Sequence, residues 1–142
     1  MTHVKANNRA SGYFAPMNER PLIDSEHEKV LSLAAETQFA PNGIVSRTLL
    51  RTPNSRTILF GFAQGQELSE HTSTQHGLMQ ILSGECEISL AGKPHFLKAG
   101  DVTYMPPALA HSLKATQQFS MLLTLFKPAD AARTASPLAI RS

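Results

Sequence analysis

From residue 44 onward the chain is a series of short runs of β-forming residues, and turn residues such as Ser83-Gly84 separate nearly all of them. Within one run, Cys86, Ile88 and Leu90 alternate with polar residues, so one face of that strand packs inward and the other meets water. The expected strands are Ile44–Arg51, Thr57–Ala63, Leu78–Ser83, Glu85–Leu90, His95–Leu97, Val102–Met105, His111–Lys114 and Phe119–Phe126. Many short strands at close spacing predict an all-β sandwich or barrel.

A length of 142 residues is typical of one domain. Ser25 and Glu28 form a capping-box pattern that predicts a short N-terminal helix, although residues 30–33 could equally begin a strand. The predicted organisation is an N-terminal arm with a short helix over residues 1–40, a β-barrel over 41–127 and a flexible tail over 128–142. The strands, and with them any functional site, are therefore expected in the middle of the chain.

The composition excludes several classes of protein. A net charge of +2 is too small to indicate a nucleic-acid partner, and we interpret Arg47, Arg51 and Arg56 as lying on solvated strand faces and turns. The lone Cys86 excludes an intramolecular disulfide. Residues 1–20 contain no signal-peptide pattern and no stretch is long enough to span a membrane. We expect a cytoplasmic protein without a membrane or nucleic-acid partner.

Two stretches within residues 65–115 combine glycine, proline and histidine at fixed spacings. In these motifs the chain resembles the cupin superfamily, and in particular its small bacterial single-domain members of unassigned function. The matching positions are Gly65, His71 and Gly84 in the first motif and Gly100, Pro106 and His111 in the second. The resemblance implies a double-stranded β-helix, a jelly-roll barrel that commonly forms a homodimer, with its site inside the barrel.

The chain departs from the cupin motifs at two metal-ligand positions. Ser73 stands where the family has its second histidine, and Gly77 stands where it has a glutamate. Of the four ligands of metal-binding cupins, only His71 and His111 therefore remain. Without a metal, these two imidazoles would simply form hydrogen bonds in a polar barrel mouth.

His76 is a candidate third ligand. In a regular strand its side chain would face away from that of His71, so the ligand role requires a bulge over residues 73–75. Three imidazoles with water would suit zinc, iron, manganese or nickel. Strand parity instead favours an exposed His76. The polar neighbours expected around the pocket are Ser73, Gln75, Gln80 and Tyr104.

Two functions follow from these alternatives. The first is a metal-dependent enzyme of the isomerase, lyase or oxygenase type, in which His71, His111 and the candidate His76 hold a divalent ion that acts as a Lewis acid. The second is a non-catalytic module that binds or senses a small molecule without metal, which the residues at 73 and 77 favour. A third, structural or partner-binding role would require an interior filled by side chains.

Overall fold

The computed structural model describes residues 3–4 and 20–129. The strands and the helix are β1 His3–Val4, α1 Leu33–Glu36, β2 Ile44–Arg51, β3 Ser55–Phe62, β4 Glu67–His71, β5 His76–Ser83, β6 Glu85–Leu90, β7 Lys93–Lys98, β8 Val102–Met105, β9 His111–Lys114 and β10 Phe119–Phe126. They form a six-stranded sheet in the order β1-β2-β3-β10-β5-β8 and a four-stranded sheet in the order β4-β9-β6-β7. All pairings are antiparallel. The predicted all-β, double-stranded β-helix fold is confirmed.

The core lies between the two sheets, and the alternation seen in the sequence builds it. In β5, Gly77, Met79 and Ile81 are buried while the residues between them are more exposed. Phe62 of β3 and Phe119 of β10 stack with ring centroids 4.6 Å apart. Burying such apolar surface is the main source of stability in a small domain.

Strand β4 is absent from the predicted set, and the reason is visible in its composition. It contains a single aliphatic residue, Leu68, and only that residue is buried. Such a segment carries almost no alternation signal. Its pairing with β9 nevertheless places His71 in the barrel wall.

The short helix begins later than its predicted start. Ser32, rather than Ser25, caps it, and the Ser32 side chain accepts a hydrogen bond from the Ala35 N–H at 3.1 Å. Near the expected cap, Asp24 instead accepts hydrogen bonds from the Glu26 N–H at 2.9 Å and from the His27 ring at 2.9 Å. This local Asp turn competes with helix formation.

Near the N-terminus, β1 pairs with β2 through His3 and Val45 and through Val4 and Ile44. The rest of the predicted arm before residue 20, and the predicted tail from residue 130 onward, lie outside the described residues. Within the described part of the chain, no helix has the length and apolar character needed to cross a membrane.

Cys86 lies in β6 within the hydrophobic core. Burial, followed by the negative charge of Asp101, raises the pKa of the thiol to about 12. The thiol therefore stays protonated near neutral pH and acts as a small core residue rather than a nucleophile.

Candidate functional site

The structure brings His71 and His111 together, although forty residues separate them in sequence. His71 ends β4 and His111 begins β9, and the two residues are direct partners across these strands. Their rings meet edge to face with centroids 4.3 Å apart. His111 is 3% exposed. A pair of imidazoles therefore lies at the wall of the barrel interior.

Backbone carbonyl groups fix the orientation of both rings. The Nδ1 atom of His71 lies 2.8 Å from the Ser69 oxygen, and that of His111 lies 2.9 Å from the Leu109 oxygen. A carbonyl oxygen only accepts, so each Nδ1 donates its proton. In the neutral rings, Nε2 therefore carries the lone pair, and both Nε2 atoms are buried. The same arrangement orients imidazoles that act as ligands or acceptors.

The environment of His111 favours its neutral form. Burial lowers the pKa of this imidazole, the hydrogen bond to Leu109 raises it, and the neighbouring His71 lowers it further. The net effect places the pKa of His111 below its ordinary value of 6.5. At neutral pH, His111 is thus an uncharged acceptor at Nε2.

The depressed pKa predicts a dependence of stability on pH. Below pH 6.5 the unfolded chain binds a proton at His111 before the folded chain does, so the free energy of unfolding decreases as the pH falls. The slope from this group is at most about 1.4 kcal/mol per pH unit. Urea unfolding between pH 7.5 and 5 should show this slope, and His111→Gln should reduce it.

His95→Gln provides the control for this titration. It removes an exposed imidazole from β7, so an effect specific to the burial of His111 can be distinguished from the loss of any histidine. Equal slopes in the wild-type protein and in His111→Gln would contradict the assignment to His111.

A small cavity of about 10 Å³ adjoins His111. Its lining residues are Ser73, Gln75, Gly77, Met105, Pro106, His111 and Leu125. This volume holds about one water molecule. The predicted pocket neighbours Ser73 and Gln75 therefore line the same cavity as His111.

Apolar side chains occupy the space around Gly77, the position of the glutamate in the family motif. A Cβ atom placed on Gly77 would lie 3.1 Å from the Met105 Cε atom and 3.7 Å from the Leu125 Cδ2 atom. Any larger side chain at position 77 would have to displace Met105.

Three other residues predicted for the site lie on the opposite face of the six-stranded sheet. His76 is the first residue of β5, and its side chain points away from the barrel interior. Its ring stacks on that of Phe126 with centroids 4.9 Å apart, and its Nδ1 atom lies 2.7 Å from the Tyr104 hydroxyl oxygen. Tyr104 is 48% exposed, and Gln80 is exposed on the same face. The structure therefore does not bring His76, Gln80 or Tyr104 to the histidine pair.

The donor set at this site does not fit a resident divalent metal ion. Over the residues that the structure describes, no three histidine, cysteine, aspartate or glutamate side chains form a group that could hold a metal. Two imidazoles remain, and Met105 fills the space beside Gly77. Divalent ions bind tightly only when three or four such donors converge.

One further residue of the barrel mouth was not recognised from the sequence. Arg56, interpreted as solvated, is half-buried and shares the parity of Ile58 and Phe60, which lie in the core. That parity was readable in the sequence. The charge at the end of an apolar strand is the signal that could have identified it.

Comparisons with known proteins agree with this fold. The sequence profile of the cupin domain family matches residues 58–126. An uncharacterised protein of Aquifex aeolicus (strain VF5) is 30% identical over 104 residues, which are 72% of this chain and 84% of that protein.

Two solved structures are similar in both sequence and fold. A conserved protein of unknown function from Streptococcus pyogenes is 32% identical with a TM-score of 0.69, covering 80% of this chain and 98% of its own. A cupin superfamily protein from Desulfitobacterium hafniense DCB-2 is 27% identical with a TM-score of 0.67, covering 72% and 94%. Neither description names a substrate.

Proposed function

Because the chain belongs to the cupin family, we propose that it binds a small molecule at the barrel mouth, beside His71 and His111, without a resident metal ion. One observation carries this proposal. The barrel brings two imidazoles together while Met105 packs over the position of the missing carboxylate ligand. This combination supports recognition of a ligand better than metal-assisted chemistry.

The two histidines supply the polar part of such a site. Each Nδ1–H is held by a backbone carbonyl, so each Nε2 atom is an acceptor for a hydroxyl or N–H group. Met105 and Leu125 supply an apolar wall. Ligand sites commonly combine an apolar lining with a few placed polar groups. The cavity has room for only about one water molecule, so most of the ligand would lie outside it, at the mouth of the barrel.

A thermal-shift screen of small polar metabolites tests the proposal. Compounds that bind the native state should raise the melting temperature by mass action, and a chelator should have no effect. His111→Gln should weaken the binding of each hit at least about tenfold, because the imidazole acceptor that the Leu109 oxygen holds in place is lost. If no compound stabilises the protein, or if hits bind His111→Gln equally well, a structural role replaces this one.

A metal-dependent enzyme is the second candidate. It is favoured by the carbonyl-held rings of His71 and His111, because metal-ligating imidazoles are oriented in the same way. Elemental analysis of protein purified without added metal separates the two candidates. Stoichiometric metal that is lost in His71→Ala would support the enzyme and overturn the metal-free proposal.

Homodimer formation, which the family resemblance implies, stays a prediction for this chain. Strand β8 is at an edge of the six-stranded sheet, and exposed sheet edges are often covered by association. Sedimentation equilibrium of the full chain would establish whether it pairs.

A further inference from the structure

Strand register turns Arg56 toward the barrel mouth. Arg56 is paired with Leu125, Leu125 with Gly77, and Gly77 with Met105, so these four residues form one row across β3, β10, β5 and β8. Residues paired across strands point to the same face of a sheet. Leu125 and Met105 belong to the hydrophobic core and line the cavity beside His111, and Arg56 therefore lies in the inward-facing row that borders His111.

Three cations surround a surface depression at this end of the barrel. The depression has a volume of about 340 Å³ and is lined by Arg51, Thr52, Pro53, Asn54, Ser55, Arg56, Gln75 and Lys127. We call it the basic depression. The described residues that line it include no aspartate or glutamate. Gln75 also lines the cavity beside His111, so the basic depression and this cavity are adjacent and have a lining residue in common.

The two arginines lie next to each other in the sheet. Arg51 and Arg56 are direct partners across β2 and β3, and like charges in such pairs repel. Burial, and then the charge of Arg51, lower the pKa of Arg56. Guanidinium groups bind carboxylate and phosphate oxygens in pairs, so two neighbouring arginines suit an oxyanion.

We propose that the ligand of the barrel is a small organic anion whose carboxylate or phosphate group is bound by Arg51, Arg56 and Lys127. Gln75 and His111 then contact the part of the ligand that extends toward the cavity. This inference rests on the proposed function, and it adds the chemical class of the ligand.

Calorimetric titration at low ionic strength tests the inference with three probes: succinate, inorganic phosphate and the uncharged succinamide. Succinate or phosphate should bind the wild-type protein and succinamide should not. Arg56→Gln should weaken anion binding at least about tenfold, since a charge-assisted hydrogen bond is lost. Binding that requires a carboxylate will favour succinate, whereas a phosphate site will favour inorganic phosphate.

Arg47→Gln is the matched control. It removes the same charge from the neighbouring strand β2, but Arg47 pairs with Glu36 at 3.1 Å and does not line the basic depression. Its anion affinity should equal that of the wild-type protein. Thermal unfolding of both variants verifies that they fold.

The outcomes separate this inference from the function on which it rests. If neutral compounds from the screen bind in a His111-dependent way while succinate and phosphate do not, the anion inference is overturned and the proposed function stands. If no compound of either kind binds, both fail. Anion binding that is lost equally in Arg47→Gln and Arg56→Gln would reflect net charge alone and would also overturn the inference.

Discussion

Gly84→Ala is expected to destabilise the barrel by about 3 kcal/mol, the sum of a strained backbone and an overpacked contact. Gly84 joins β5 to β6 with φ at +74°, a region that L-amino acids rarely adopt. A Cβ atom there would clash with the backbone oxygen of Gln118 and would lie 2.8 Å from the Phe119 Cα atom. Backbone atoms cannot move aside as a flexible side chain can. Thermal unfolding should show a melting temperature lower by about 10 °C.

Gly92→Ala separates the two causes. Gly92 has φ at +83°, but a Cβ atom there would meet nothing within 4 Å. This variant should therefore lose only the conformational part, about 1 kcal/mol. Equal destabilisation of the two variants would show that the close approach of residues 118–119 contributes nothing.

Gly84 also explains in part why the fold could be predicted from sequence. The closing glycine of the first motif is required where a tight turn passes close to the backbone before Phe119. The neighbouring strands alternate clearly between core and solvent, as in β6. Local signals of this kind are sufficient for the fold class. Strand β4 escaped prediction because its single buried residue, Leu68, produces no pattern.

The candidate site could be predicted only in part. The spacing of the two motifs identifies His71 and His111, and the structure brings their rings together. The alternation of side-chain direction along β5 correctly predicted that His76 faces away from the barrel interior. The inward parity of Arg56 could be read from the sequence, but the packing of Met105 against Gly77 and the alignment of Arg56 with Leu125 depend on register between strands that are distant in sequence. No local pattern encodes that register.

The largest change in metal binding is expected when the missing metal-ligand side chains are restored. The Ser73→His, Gly77→Glu, Met105→Ala triple variant supplies an imidazole and a carboxylate beside His111 and removes the methionine that blocks position 77. With His71 and His111, four donors would then be available, as in sites that hold zinc. We expect elemental analysis to rise from trace metal in the wild-type protein to about one zinc ion per chain. Added zinc should also raise the melting temperature of the variant, because binding to the native state stabilises it.

A variant with Gln in place of Glu at position 77 is the matched control for this gain. It keeps the volume and the side-chain length but removes the negative charge that a divalent ion favours, so its zinc affinity should be markedly lower. Adding His111→Ala to the triple variant should abolish the gain, since the site would lose an imidazole that the barrel already places. Stoichiometric zinc in the wild-type protein would contradict the metal-free proposal. Zinc binding by the triple variant that survives His111→Ala would show that the site does not depend on the histidine pair. Zinc bound only when all four donors are present would mean that this barrel differs from a metal centre by the side chains at positions 73, 77 and 105, while its backbone remains suited to hold one.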